Sequence, residues 1–382
     1  MSSVLFLSLM NGSSWGGSEE LWYKTAMHSL QRGCKTGCAV YHWKEKEPRM
    51  QSLHDAGAQI YYLPNKGIAK RNLLEKMQFK ITKKIRLKKA IRELPVDEYD
   101  LVVLNLGAFE IVNPVWIHFY KRLKKYALLF HNYSGNIEFS AKQEAALKEW
   151  IYRAQVNLFA SVRIIELLEK KLAITINNRD ILINPITFPP PSDITGYPPL
   201  KNGGYVFIML AALEVYRKAQ DQLIKALSSP KWKQRNWILE LYGDGPDRAS
   251  LQRLIEERDM KDKIFLRGHS ANVKKLLLDA HMVLQITHMD AMPLAVVEGM
   301  AMSRPLVVSD VGDMPQWVKD GENGWVAPNA SPEEIDRAME RAWSEKANWN
   351  EMGIHSFRVF RKKFNVVPEE NLLTQLRLPL DC

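Results

Sequence analysis

Short apolar runs alternate along this chain with longer stretches in which apolar side chains recur every three or four residues. In the first half, Val4–Leu9, Cys38–His42, Gln59–Leu63, Leu101–Leu106 and Ala127–Phe130 are short enough to be strands and apolar enough to be buried on both faces. A helical pattern from Ser18 to Arg32 lies between the first two, and Gly33 stops it. The second half repeats the alternation. Tyr205–Leu210, Trp237–Tyr242, Ile264–Leu266, Met282–Ile286 and Pro305–Val308 are predicted strands, and Ala219–Leu227, Asp247–Glu257, Ser270–Asp279 and Leu294–Met302 are predicted helices. Buried strands separated by helices form parallel sheets covered on both faces, so two doubly wound α/β domains are expected.

Between the halves, Asn184–Pro199 holds six of the chain's 19 prolines. Proline lacks a backbone N–H and cannot enter a sheet interior, so this segment is expected to be extended. The predicted organisation is a first domain over 1–187, a Pro-rich linker over 188–203, a second domain over 204–353, and a helical, basic C-terminal segment over 354–382 that breaks before Pro368.

The length of 382 residues fits two domains, and 46% hydrophobic with 25% charged residues is a globular composition. The net charge of +10 favours anionic partners without choosing among phosphorylated ligands, lipid head groups and nucleic acid. Part of that charge lies in 71–94, where Leu74, Met77, Ile81, Ile85 and Ile91 keep helical spacing among Lys76, Lys80, Lys83, Lys84 and Lys88. Two readings stay open for it: a solvated surface helix, or a face that leans on an anionic membrane or acceptor. Cys34, Cys38 and Cys382 complete no zinc pattern and are expected to be free thiols. The N-terminal apolar run lacks a basic leader, and no stretch approaches the roughly 20 apolar residues of a membrane span, so a cytoplasmic protein is expected.

The chemistry concentrates in Asp290-Ala-Met-Pro-Leu-Ala-Val-Val-Glu298 and the following Gly-Met-Ala-Met-Ser-Arg-Pro-Leu-Val-Val-Ser-Asp-Val-Gly312. Asp290 is expected in a loop and Glu298 on the second turn of the helix after it. The loop offers backbone N–H groups near Ala291, Met292 and Leu294 at the helix start, where an anion is stabilised, and Pro293 belongs to the same candidate donor-binding loop without an N–H of its own. Carboxylates accept hydrogen bonds from hydroxyls. Upstream, Leu241-Tyr-Gly-Asp-Gly-Pro246 joins a strand to a helix, and Gly12-Ser-Ser-Trp-Gly-Gly-Ser-Glu19 does the same in the first half. The second is not a Walker loop, because no Gly-Lys-Ser/Thr follows.

The stretch from Asp290 to Gly312 resembles the signature of the family 4 (group 1) retaining glycosyltransferases. The resemblance implies a GT-B fold, two Rossmann-like domains facing a central cleft, with an acceptor-binding first domain, a nucleotide-sugar donor domain second, and the C-terminal helix and tail of 354–382 crossing back to the first domain. It maps the ribose contact onto Glu298 and the sugar-hydroxyl contact onto Asp290, where the family usually has Glu. Leu210-Ala-Ala-Leu-Glu-Val-Tyr-Arg-Lys218 resembles the diphosphate-binding segment. Lys218 matches its Lys, while Ala212 stands where its Arg would be, with Arg217 the nearest other cation, and Ala219 replaces a common Gly. Gly243 and Gly245 fall in the donor domain's Gly turn, His269 near the nucleobase, Gly16 and Gly17 in the loop that closes over the donor, and His131 near the transferred sugar. Trp15 and Tyr133 are candidates for stacking on sugar rings.

What the resemblance implies is retaining hexosyl transfer from a nucleotide-sugar to a glycan, glycolipid or other hydroxyl acceptor, as in polysaccharide assembly. The diphosphate's charge would be stabilised by Lys218, the Gly16–Gly17 loop and helix-end amides. No cofactor, no metal and no nucleic-acid partner is expected. The competing reading, motivated by Ala212 and Asp290, is a degenerate GT-B protein that binds nucleotide or glycan without turnover.

Overall fold

In the computed structural model, residues 2–11, 15–64, 84–132, 137–201 and 203–378 are described. The chain divides into two compact units, Met1–Pro185 with Val366–Cys382, and Ile186–Asn365.

The first unit is built on β1 (Ser3–Ser8), β2 (Lys35–Tyr41), β3 (Gln59–Leu63), β4 (Leu101–Leu106), β5 (Tyr126–Phe130), β6 (Val156–Phe159) and β7 (Arg179–Ile181). All pairings are parallel, in the order β3-β2-β1-β4-β5-β6-β7. Every residue of β1, β4 and β5 is buried, as continuous apolar runs require when helices cover both faces. The second unit holds β8 (Tyr205–Leu210), β9 (Trp237–Tyr242), β10 (Ile264–Gly268), β11 (Met282–Gln285), β12 (Leu306–Ser309) and β13 (Gly324–Ala327), also all parallel, ordered β10-β9-β8-β11-β12-β13. Its core includes Trp232, Trp237, Trp325 and Trp349.

In each sheet the chain builds outward on one side and then returns to build on the other. The reversal falls between β1 and β4 in the first unit and between β8 and β11 in the second. Loops leaving the carboxyl ends of two such strands diverge, and the crevice between them is where doubly wound sheets hold ligands.

Three strands were not anticipated. In β6 the buried Asn157 interrupts the apolar run, and its amide donates to the Ile151 carbonyl (2.9 Å) and the Asn178 side chain (3.0 Å). In β7 only three mostly exposed residues pair, and β13 opens on a glycine.

The Pro-rich segment departs from the expected linker. Within the second unit, Thr195 donates from its N–H to Ser303 Oγ (3.1 Å) and from its hydroxyl to the Met302 carbonyl (2.5 Å), while Tyr197 Oη donates to the His281 carbonyl (3.0 Å). Proline's missing donors keep the segment out of the sheet, but its remaining polar groups are matched by that unit's surface. The C-terminal region also divides differently. The helix Trp349–Lys363 belongs to the second unit, and only the stretch from Val366 returns to the first, where the helix Pro368–Gln375 packs on the helix Gly17–Gln31. Pro368 sits in the first turn of its helix, where no N–H is needed.

Residues 84–93 of the basic 71–94 stretch are helical, and the stretch up to 83 lies outside the described residues. No described helix is long and apolar enough to cross a membrane. The free-thiol expectation holds for Cys38, buried in β2, whereas Cys34 is disulfide-bonded.

Candidate functional site

In the second unit the loops after β8 and β11 meet at the topological switch. Lys218 ends a one-turn helix, Val215–Lys218, and the left-handed Ala219 (φ 47°) then turns the chain into the helix Gln220–Leu227. The Arg217 carbonyl accepts from the N–H groups of His288 (2.8 Å) and Met289 (3.2 Å) and from the Thr287 hydroxyl (2.5 Å). Ser309 Oγ, at the end of β12, accepts from Thr287 N–H (3.0 Å) and donates to the Thr287 carbonyl (2.9 Å). These bonds fix the loop carrying Asp290 against the turn carrying Lys218, and the two side chains pair at 2.7 Å, both mostly buried. Asp290 Oδ1 also accepts from Ala291 N–H (3.0 Å), and Gln285 Nε2 lies 3.4 Å from Oδ2.

Ala291, Met292 and Pro293 lead into the helix Leu294–Ala301, which starts at Leu294 as the sequence predicts. Glu298 faces inward on its second turn, 4% exposed, and its Oε1 accepts from Thr187 N–H (2.9 Å) and Thr187 Oγ1 (2.7 Å). Burial pushes its pKa up, and the two Thr187 bonds pull in the opposite direction.

Gly243 and Gly245 are held by the protein itself. A Cβ at Gly243 (φ 144°) would sit 2.0 Å from the Ala211 carbonyl oxygen, and one at Gly245 2.3 Å from that of Leu213. Their bareness lets the turn after β9 press on the turn after β8, where Leu213 N–H donates to the Asp244 carbonyl (3.1 Å) and Val215 N–H to Asp247 Oδ2 (2.8 Å). The space beside both glycines is therefore taken by the backbone of Ala211 and Leu213. His269 is exposed beside the same turn, its N–H donating to Asp244 Oδ2 (3.2 Å). At the position without the expected arginine, the Ala212 carbonyl accepts from Gln220 Nε2 (2.7 Å). The Arg217 guanidinium pairs with Glu214 (3.4 Å).

The sequence reading missed Thr187, Gln285 and Gly312 here. Gly312 (φ 57°) leaves space in which a Cβ would lie 2.5 Å from the Asp290 carbonyl oxygen, and its place at the end of the 290–312 motif was the available signal. Thr187 lies among prolines and gave none.

In the first unit, Gly16 precedes and Gly17 opens the helix Gly17–Gln31, with the Gly16 carbonyl accepting from Glu19 N–H (3.0 Å). Gly16 is extended, and a Cβ there would meet only Met10 Cε at 3.7 Å. Packing does not demand a glycine at that position, unlike Gly243. Trp15 is tied down: its indole N–H donates to Glu20 (3.0 Å) and the Arg49 guanidinium lies 4.3 Å from its ring centre. His131, just past β5, is buried, and its Nε2 lies 2.7 Å from Asn105 Oδ1. Burial lowers its pKa to about 3, so the ring is neutral at ordinary pH. Glu110, past β4, accepts from Ala108 N–H (3.1 Å), and burial raises its pKa. Tyr133 lies outside the described residues.

Residues 197–355 match the family model described as glycosyl transferases group 1. Among characterised proteins the chain is similar to the alpha-D-kanosaminyltransferase of Streptomyces kanamyceticus, 27% identical over 32% of this chain and 33% of that one. It is also similar to the poly(ribitol-phosphate) alpha-N-acetylglucosaminyltransferase of Staphylococcus aureus, 26% identical over 29% of this chain and 23% of that one. The match thus spans a third or less of either relative's length. Among solved structures, Anabaena HepE in complex with UDP superposes with a TM-score of 0.72 at 15% identity, covering 98% of this chain and 99% of that one. Two parallel-sheet α/β units that align end to end with such a neighbour have the GT-B fold, and within it residues 197–355 are similar to the glycosyl transferases group 1.

Proposed function

We propose that this protein is a retaining glycosyltransferase that moves a hexosyl group from a nucleoside-diphosphate sugar to a hydroxyl of a glycan or lipid-linked acceptor. The observation that carries this reading is the Lys218–Asp290 pair at the β8/β11 switch point, with Glu298 buried on the second turn of the helix that follows Asp290. The Lys218 ammonium has three N–H donors and Asp290 engages one, so oxygen atoms of a diphosphate can be bound without breaking the pair. The helix beginning at Leu294 adds the partial positive charge of its N-terminus. As the glycosidic bond to the diphosphate breaks, negative charge builds on the leaving oxygen, and these fixed groups stabilise it with little reorganisation. Lys218 and the helix end take the part a divalent metal plays in other transferases, so the reading requires no metal and no other cofactor. Asp290 orients sugar hydroxyls, Glu298 takes the ribose, and retention follows from attack on the face the diphosphate leaves. HepE, the structural neighbour, holds UDP, which makes a UDP-sugar the first donor to try. Bacterial glycan assembly in the cytoplasm, with the basic 71–94 stretch against an anionic membrane, is the setting this reading favours.

The test is thermal stabilisation by UDP, GDP, ADP, dTDP and CMP, on the wild type and on Glu298→Ala. A nucleotide at 100 times its Kd adds about 2.7 kcal/mol of stability. The expected result is that UDP stabilises the wild type and not the variant, and that transfer follows from the matching UDP-sugar. No response of the wild type to any nucleotide would overturn the reading.

A further inference from the structure

Thr187 lies two residues past the end of the first unit's main stretch and belongs to the second unit. It is exposed, and both its N–H (2.9 Å) and its Oγ1 hydroxyl (2.7 Å) donate to one atom, Glu298 Oε1. An exposed threonine gains little from packing, so these bonds matter chiefly for the glutamate, which is 4% exposed. A carboxylate oxygen has two lone-pair sites, and Thr187 fills both on Oε1. Among the described residues no donor is bonded to Oε2.

The backbone beneath Glu298 has little freedom. Gly299, the next residue of its helix, lies so close to β11 that a Cβ there would sit 2.8 Å from Val283 Cγ2. The helix end is closed by Met302 N–H on the Glu298 carbonyl (3.1 Å) and Arg304 N–H on the Gly299 carbonyl (3.0 Å). With the helix seated, only the side-chain torsions of Glu298 remain to be set. Two bonds to one oxygen set them, because turning the carboxylate breaks both. The segment that carries Thr187 is anchored in turn by the Thr195 and Tyr197 bonds. Oε2 is left as a charged acceptor of fixed direction, and hydrogen bonds to such an acceptor are the strong ones.

We propose that Thr187 is a positioning residue for the nucleotide: it occupies Oε1 of Glu298 and holds the carboxylate so that Oε2 meets a hydroxyl of the ribose. This rests on the donor-binding reading above, in which Glu298 takes the ribose, and every group involved lies within the second unit. The consequence is selectivity. The site tells a ribonucleotide from a deoxyribonucleotide through one oxygen whose direction Thr187 sets.

The experiment is calorimetric titration of the intact protein with UDP, 2′-deoxy-UDP and 3′-deoxy-UDP, on the wild type, Thr187→Val, Thr187→Ala and Thr187→Ser, with the melting temperature of each. The wild type should bind UDP about tenfold or more tightly than at least one of the deoxy forms, the loss expected for a hydrogen bond to a charged group. Thr187→Val keeps the N–H bond and the side-chain shape but lacks the hydroxyl, and should cut that preference by roughly threefold or more. Thr187→Ala should do the same, and Thr187→Ser should keep the wild-type preference. Val and Ala are independent substitutions at an exposed position, so misfolding of one leaves the other to decide. A Val or Ala variant that binds all three nucleotides more weakly by the same factor, its preference intact, has lost only support for the fold and overturns the proposal. A Ser variant that loses the preference along with Val overturns the hydroxyl's role. A wild type that binds UDP and both deoxy forms equally removes the ribose from Glu298 and the proposal with it. Absence of any nucleotide binding overturns the proposed function itself, an outcome distinct from the others because each of those requires bound UDP.

Discussion

Glu298 sits almost wholly out of water, with Thr187 donating two hydrogen bonds to one of its oxygens. Its pKa is raised, chiefly by burial. The sign follows from linkage: the unfolded chain gives up this proton first as pH rises, so stability present below the ordinary glutamate value is lost up to the folded value. Each pH unit between the two values costs about 1.4 kcal/mol. Glu298→Gln keeps an oxygen to accept from Thr187 and carries no charge. Its stability relative to wild type should therefore improve between pH 4 and pH 8 in urea unfolding, while its nucleotide response at pH 7 falls. A constant difference across that range would contradict the assignment of the buried charge. The site glycines separate in the same way. Gly243→Ala forces a Cβ within 2.0 Å of backbone at φ 144° and should lower stability by roughly 1–3 kcal/mol through strain in the fold. Gly312→Ala meets the Asp290 carbonyl at 2.5 Å with φ 57°, which alanine tolerates better. Its smaller loss of stability should come with at least a tenfold weaker nucleotide affinity, because the loop it displaces is the one that presents Asp290. Melting temperature and nucleotide titration on the two variants separate these outcomes.

At the scale of elements, the Pro-rich segment shows how a stretch without secondary structure is made part of a unit. Arg304 is fully buried and donates to the carbonyls of Leu277 (2.8 Å), Leu278 (3.1 Å), Ser303 (3.3 Å) and Gly196 (3.0 Å). Burial lowers its pKa to about 10, still high enough to keep it charged. Its guanidinium thereby joins the end of the helix Val273–Asp279, the turn before β12 and the segment crossing from the first unit's chain. Arg304→Leu would leave those carbonyls without a donor, at about 1–3 kcal/mol for each one that water cannot reach. The expected result is a lower urea midpoint together with new proteolytic cleavage within 188–203. Cleavage unchanged from wild type would mean that the Thr195 and Tyr197 bonds hold the segment by themselves.

At the scale of the whole molecule, each unit has its own sheet and its own core, and the C-terminal helix Pro368–Gln375 completes the first while the chain before it completes the second. Two calorimetric transitions are expected. A nucleotide should raise only the transition of the second unit, and removing residues 366–382 should lower only that of the first. A single transition moved by both changes would show that the units unfold together.

The amino-acid pattern by itself determined the two parallel α/β units, because apolar runs buried on both faces have few other arrangements open to them. It located ten of the 13 strands among the described residues and the helix that carries Glu298. Strands such as β6 and β7 stayed hidden because pairing, and not side-chain pattern, makes them strands. Only the tertiary structure decided that Lys218 and Asp290, 72 residues apart, form an ion pair, that Thr187 serves Glu298, and that the glycines of the turn after β9 face backbone. It likewise joined Glu19, Asn105 and His131 into one hydrogen-bonded set. Periodicity along a chain records which face of an element is buried, but a contact between the ends of different strands depends on strand order, which no local spacing encodes.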